Sequence, residues 1–130
     1  MKIEEYLDST YLKLPEEVGI SAEETEVIIN KIIEEGIASN FACVMIRSNF
    51  ISKAVEKIQT SKSKLKVGTV IDFPFGNSST EKKIEEAKEA ISNGAYDIDF
   101  VLQNKDHHRY VSAFLISLIN IESISLYMSL

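Results

Sequence analysis

The chain has 130 residues, of which 45% are hydrophobic and 26% are charged, and its net charge is −6. This length suits one domain with a buried core, and the composition is that of a globular protein. The acidic balance argues against a nucleic-acid-binding protein, because such proteins carry clustered basic residues. Cys43 is the only cysteine, which excludes an intrachain disulfide, and the N-terminus has no signal-peptide pattern, so we expect a cytoplasmic protein.

The beginning of the chain predicts a short strand, a loop and a helix. Aromatic, apolar and Thr residues within positions 6–14 favour the strand, and Pro15 marks the loop after it. Ser21 and Glu24 have the spacing of a capping box at a helix start. Apolar residues follow at helical spacing, and Gly36 is predicted to stop the helix. The predicted apolar stripe consists of Val27, Ile28, Ile32 and Ile33.

The middle of the chain repeats the alternation of strand and helix. A near-continuous apolar run at 41–46 predicts a strand that is covered on both faces, as in a parallel sheet, and further strands are predicted at 67–71 and 96–102. Helices are predicted at 51–60 and from Ser79 or Thr80 to the Asn-Gly pair that precedes the last strand. Four strands therefore alternate with three helices. This pattern fits either an open flavodoxin-like sheet or part of a (β/α)8 barrel, and periodicity alone does not choose between them.

The end of the chain breaks this rhythm. Residues 111–130 are apolar and rich in Ser, with Glu122 as the one charged residue. The segment has the length of a membrane span, but its Ser residues, Asn120 and Glu122 argue against that use, and we expect no membrane partner. We predict a domain at 1–104 and a divergent, irregular tail at 105–130. The tail is a buried helix or strand, or the product of a frameshift or truncation.

Carboxylates inside apolar strands are the main candidates for chemistry. Asp97 and Asp99 lie two apart in the last predicted strand, so they share a face that borders a ligand crevice or a barrel lumen. Burial would raise the pKa of such a carboxyl and fit it for proton transfer near neutral pH. The alternative is a structural role, as a loop cap or in an ion pair with Arg47. Asp8 and Asp72 could line the same acidic end, although Asp72 also fits turn chemistry.

Other kinds of site are not indicated by the residue pattern. Cys43 is most simply a small buried hydrophobe. His107 and His108 are adjacent and lack the spacing of a metal site. The loop at 75–79 matches no phosphate-loop pattern. We therefore predict neither a metal nor a cofactor.

Two segments near the start of the chain resemble deoxyribose-phosphate aldolases. Residues 7–13 look like the opening Asp-His/Leu-Thr-x-Leu motif of that family. Residues 42–47 resemble the family's second strand, in which Cys and Arg have the spacing of Cys43 and Arg47. Met45 and the Ile that follows it stand where the family commonly has an aromatic residue and Pro.

Two later segments complete the resemblance. Residues 67–77 are similar to the family's Thr-Val-x-x-Phe-Pro-x-Gly segment. Residues 87–99 resemble its Glu-Ala-x-x-Ala-Ile-x-x-Gly-Ala-x-Glu-Ile-Asp signature. The four segments occur in the family's order and spacing, and together they cover residues 1 to about 102.

The resemblance implies the first four strand-helix units of a (β/α)8 barrel and a class I aldolase. Such enzymes reversibly cleave 2-deoxyribose 5-phosphate to glyceraldehyde 3-phosphate and acetaldehyde through a lysine Schiff base, without a metal or cofactor. By position, Asp99 is the proton-relay carboxylate, Asp8 supports the active-site network, and Cys43 lies near the substrate. The implied partner is a small sugar phosphate.

The family's Schiff-base lysine belongs to a later part of the barrel. The resemblance places it on strand six, with a second lysine on strand seven and phosphate-binding loops after strands seven and eight. After Leu102 the sequence contains a single lysine, Lys105. We therefore expect it to be inactive alone and to self-associate through open sheet edges. The hypotheses are a truncated or frame-shifted aldolase, a non-catalytic half-barrel, and an independent flavodoxin-like binding module.

Overall fold

The computed structural model describes residues 2–102 and, for the backbone alone, residues 123–128. Strands and helices alternate along the chain, with short 3-10 turns at Ile3–Tyr6 and Ser48–Phe50. The strands are β1 (Asp8–Tyr11), β2 (Cys43–Ile46), β3 (Lys66–Ile71), β4 (Asp97–Leu102) and β5 (Ser123–Met128). The helices are α1 (Pro15–Val18), α2 (Ala22–Ser39), α3 (Ile51–Thr60) and α4 (Thr80–Ser92).

The order of the strands decides between the two predicted architectures. The described strands lie in the sheet in chain order, β1-β2-β3-β4-β5, and all neighbouring pairs are parallel. A flavodoxin-like sheet has the order 2-1-3-4-5, with a reversal next to its first strand. Chain order is instead the order found in the wall of a (β/α)8 barrel. The partial barrel is confirmed, and the flavodoxin-like alternative is wrong.

Part of the tail that was predicted to be irregular is a strand, which was one of the alternatives stated for it. In the sheet Asp97 lies opposite Ser123 and Leu102 lies opposite Met128, so β5 extends the sheet beyond the four predicted strands. The predicted boundary near residue 104 and most of the apolar segment fall within 103–122, outside the described residues. In the part that is described, no helix is both long and apolar enough to cross a membrane.

α2 begins as predicted and ends later than predicted. The Glu24 N–H donates to Ser21 Oγ at 3.1 Å, and the Ser21 N–H donates to the Glu24 carboxylate at 2.8 Å, which confirms the capping box. The predicted stop at Gly36 is wrong, because the helix continues until Asn40 adopts a left-handed φ of 55°. Gly36 allows a close approach instead, since a Cβ there would lie 3.0 Å from the Leu65 side chain.

The buried stripe of α2 agrees only in part with the predicted one. Ile33 is buried as predicted, whereas Val27 is 67% exposed and Ile29, which lies outside the predicted stripe, is buried. Thr25 occupies the buried position one turn earlier, where its hydroxyl donates to the Ser21 carbonyl at 3.0 Å. Because this hydrogen bond satisfies the Thr25 hydroxyl, the polar side chain can occupy a core position that the apolar pattern did not predict.

The sheet separates two environments. One face carries the main hydrophobic core, to which α2, α3 and α4 contribute residues. Its strand residues are Val44, Ile46, Val67, Ile71, Ile98, Phe100 and Leu102. The opposite face holds a smaller cluster of Cys43, Met45 and Val70. This second face corresponds to the interior of a closed barrel, and we call it the lumen face.

Candidate active site

Strand register places the predicted site residues on the lumen face. Asp8 lies opposite Cys43 on the neighbouring strand, and Gly68 lies opposite Asp97. Alternate residues of a strand share a face, so Asp99 is on the same side as Asp97. The structure thus brings Asp8, Cys43 and Asp99 to one face.

Gly68 gives the two sulfur side chains of β2 their space. A Cβ at this position would overlap the Met45 sulfur and lie 3.0 Å from Cys43 Sγ. The Cys43 thiol is 3.8 Å from the Met45 sulfur, and both side chains are buried. Sequence reasoning did not single out Gly68, although a glycine inside a strand is a signal of close approach.

Three carboxylates give the lumen face a negative potential. Asp8 is on an exposed strand, yet loss of hydration and then the charge of Asp97 raise the pKa of its carboxyl. Burial raises the pKa of the Cys43 thiol to about 12, and the charges of Asp8, Asp97 and Asp99 act in the same direction. Asp97 Oδ1 is buried and has no hydrogen-bond partner among the described residues. The face therefore favours a proton or a cation.

We expect Cys43 to resist alkylation in the folded chain. The thiolate is the reactive form, and a buried thiol with a pKa of about 12 supplies little of it near pH 8. Mass spectrometry after iodoacetamide treatment should find the native chain unmodified and the urea-unfolded chain fully labelled. Labelling of the native chain as fast as a free cysteine would contradict this assignment.

Asp72 does not join the carboxylates of the lumen face. Its carboxylate accepts hydrogen bonds from the Ser78 N–H at 2.8 Å and the Ser78 hydroxyl at 2.9 Å. The Lys83 ammonium lies 3.6 Å from the same carboxylate and donates to the Gly76 carbonyl at 2.8 Å. The side chain of Lys83 is 2% exposed and that of Asp72 is 11% exposed. Asp72 and Lys83 therefore close the loop between β3 and α4, in agreement with the turn interpretation.

Arg47 connects the C-terminal ends of three strands. Its Nε donates to the Leu12 carbonyl after β1 at 2.7 Å, and its Nη1 donates to the Phe73 carbonyl after β3 at 3.2 Å. The guanidinium also lies 4.9 Å from the centroid of the Phe73 ring. On α4, the Glu86 carboxylate accepts from the Asp72 N–H at 3.1 Å, and burial raises its pKa. These contacts fix the loops beside the lumen face.

We find no candidate metal site among the residues that the structure describes. There, no group of three or more His, Cys, Asp or Glu side chains could hold a metal ion. His107 and His108 lie outside the described residues.

These features define a class of protein: part of a (β/α)8 barrel whose inner wall carries carboxylates. Over 102 residues the chain is 39% identical to the deoxyribose-phosphate aldolase of Mycoplasmopsis pulmonis (strain UAB CTIP) and to deoxyribose-phosphate aldolase 1 of Staphylococcus aureus (strain MRSA252). Each match covers 78% of this chain and 42% of the relative. The chain is therefore similar over most of its length to part of the deoxyribose-phosphate aldolases, which confirms the resemblance.

Solved structures agree on the fold. The deoxyribose phosphate aldolase from Aeropyrum pernix, described as having a unique tetrameric structure, superposes with a TM-score of 0.75 at 21% identity. The superposition covers 95% of this chain and 51% of that chain. No protein-family model matches the sequence. The chain spans less than half the length of the curated relatives that it matches.

Proposed function

We propose that residues 1–102 supply the acid-base side of a Schiff-base aldolase that reversibly cleaves 2-deoxyribose 5-phosphate to glyceraldehyde 3-phosphate and acetaldehyde. The observation that carries this proposal is the position of Asp99 on the lumen face of β4, on the same face as Asp8 and Cys43. The 39% identity to deoxyribose-phosphate aldolases supports this choice of reaction.

The chemistry needs a group that both accepts and donates a proton. When a lysine imine withdraws electrons from the carbon-carbon bond, the bond breaks and its electron pair enters an enamine. The hydroxyl group on the carbon that becomes the departing aldehyde must lose its proton, and the enamine carbon must later gain a proton. A carboxylate that reaches both atoms through a water molecule can serve both steps. We assign this proton transfer to half-buried Asp99, and to Asp8 the support of the surrounding network.

The imine-forming lysine is proposed to lie outside residues 2–102. Lys66, at the N-terminal end of β3, has its ammonium 4.6 Å from the centroid of the Tyr96 ring. Lys83 is buried in the loop contacts after β3. Lys105 is outside the described residues, and the resemblance places the reactive lysine on a later strand. We therefore propose that 1–104 is a partial aldolase barrel, that 105–130 diverges from the family in sequence although β5 extends the sheet, and that the chain is inactive alone.

Reductive trapping tests this assignment. The folded chain and the Mycoplasmopsis relative are each incubated with acetaldehyde and sodium borohydride, and their intact masses are measured. We expect one reduced adduct on the relative, and on this chain only the background of an unfolded control. A stoichiometric adduct on the folded 130-residue chain would show that it holds a Schiff-base lysine after all.

A further inference from the structure

The Arg47 side chain bridges two loops that are far apart in the sequence. Arg47 follows β2 directly, and its hydrogen bonds reach the Leu12 carbonyl, 35 residues earlier, and the Phe73 carbonyl, 26 residues later. The guanidinium carbon also lies over the Phe73 ring. A guanidinium presents its donors in a rigid planar fork, so one side chain holds both carbonyls in a fixed geometry. The loops after β1 and β3 are therefore tied to the end of β2.

Glu86 supports this bridge from α4. Its half-buried carboxylate accepts a hydrogen bond from the N–H of Asp72, the residue before Phe73, at 3.1 Å. Burial raises the pKa of the Glu86 carboxyl, whereas the positive charge of Arg47 acts in the opposite direction, so the two side chains interact electrostatically. The start of the loop after β3 therefore has two anchors, one from α4 and one from the end of β2.

The bridged loops border the proposed site. In (β/α)8 barrels the loops that follow the strands form the active-site face. β1 carries Asp8 and its neighbour β2 carries Cys43, both on the lumen face. Asp99 lies on β4, and neither of the bridged loops follows that strand. The hydrogen bonds of Arg47 therefore act on the loops, and not on the strand that carries the proposed proton-transfer group.

We propose that Arg47, supported by Glu86, is a positioning residue of the aldolase site: it ties the loops after β1 and β3 together and so holds the rim of the lumen in the geometry that binds the sugar phosphate. This inference rests on the proposed function. A misplacement of about 1 Å can cost about 10²-fold in rate. Loss of the bridge should raise KM at least about tenfold, whereas kcat, which depends on Asp99, should change less than about threefold.

The first test uses the 130-residue chain and does not depend on activity. Backbone amide order parameters are measured by NMR for the chain and for Arg47→Met, at a temperature at which both are folded. We expect the values at 12–14 and at 72–76 to fall together, from about 0.85 to below about 0.7, because both loops lose the same anchor. If only one loop gains mobility, or neither does, Arg47 does not tie them together and the proposal is wrong.

Lys53→Met is the matched control for the loss of charge. The Lys53 ammonium pairs with the Glu26 carboxylate at 2.7 Å, and both side chains are 49% exposed. The substitution therefore removes one positive charge from α3, the helix that follows Arg47, through a contact that involves neither loop. We expect the order parameters of both loops to stay unchanged. Equal loosening by Lys53→Met and Arg47→Met would mean that the effect comes from charge and not from the bridge.

The second test measures KM and kcat separately. Residues 1–102 are fused to the C-terminal part of the Mycoplasmopsis relative, from the end of its match onward, and assayed with 2-deoxyribose 5-phosphate. Both Arg47→Met and Arg47→Lys should raise KM, because a lysine keeps the charge but cannot span two carbonyls. A merely structural Arg47 would lower the unfolding temperature and leave both constants of the folded enzyme unchanged. That result, or a normal KM in Arg47→Lys, would overturn the proposal.

A double substitution tests the support from Glu86. Glu86→Met should also raise KM, and Arg47→Met combined with Glu86→Met should raise it little beyond the larger single effect, since both residues act on the same loop. Effects that multiply would show that Glu86 acts independently of Arg47. A fusion that folds but does not turn over would contradict the proposed function, whereas the NMR measurement on the 130-residue chain would still decide whether Arg47 ties the loops together.

Discussion

Lys83→Met should lower the free energy of unfolding by about 3 kcal/mol, because it leaves a largely buried carboxylate without its cation. The Lys83 ammonium lies 3.6 Å from the Asp72 carboxylate and donates to the Gly76 carbonyl at 2.8 Å. After the substitution, the Asp72 carboxylate loses the neighbouring ammonium and keeps the hydrogen bonds from the Ser78 N–H and hydroxyl. Urea unfolding followed by circular dichroism measures the loss.

Lys82→Met is the matched control for this substitution. Lys82 is the preceding residue of α4 and is exposed, so its replacement should change stability by less than about 0.5 kcal/mol. Similar losses for the two variants would mean that the buried ion pair does not hold the loop between β3 and α4. A stable Lys83→Met protein with an unchanged loop would lead to the same conclusion.

Asp99→Asn should reduce turnover by about 10²- to 10⁴-fold in an active enzyme, which is the usual contribution of a proton-transfer group. The enzyme for this test is a fusion of residues 1–102 to the C-terminal part of the Mycoplasmopsis relative. An amide occupies nearly the same volume as the carboxyl but cannot accept and return a proton. Steady-state kinetics with 2-deoxyribose 5-phosphate gives kcat and KM separately, and the loss should fall on kcat.

Asp97→Asn provides the comparison on the same face of the same strand. Its carboxylate is two residues earlier, and one of its oxygens is buried without a hydrogen-bond partner among the described residues. We expect its effect on kcat to stay below about tenfold, since a group that does not transfer the proton contributes only indirectly. If the two variants lose activity equally, Asp99 has no special role in proton transfer.

Local rules were sufficient to predict most of the fold. Three apolar runs, together with the aromatic, apolar and Thr residues within 6–14, predicted the four strands of the repeat, and the capping box at Ser21 located the start of α2. Strand order was not predictable from periodicity, because open sheets and barrels share the same alternation of elements. Only the pairing of consecutive strands distinguished them. The assignment of the lumen-facing carboxylates followed from the alternation of residues along a strand.

Packing explains the residues that sequence reasoning misassigned or missed. Gly36 and Gly68 both mark close approaches of neighbouring side chains, a property that depends on tertiary structure. Lys83 lies in a helix rich in charged residues, and no local pattern distinguishes a buried lysine from an exposed one. Its partner Asp72 comes from the end of a strand on the far side of a loop. Such pairs become visible only when the chain is folded.

Release of glyceraldehyde 3-phosphate from 2-deoxyribose 5-phosphate by the fusion of residues 1–102 to the C-terminal part of the Mycoplasmopsis relative is the most direct test of the proposed function. We predict that the fusion turns over and that the 130-residue chain alone does not. A folded fusion without turnover, in an assay in which the Mycoplasmopsis protein is active, would show that residues 1–102 do not supply the acid-base side of an aldolase.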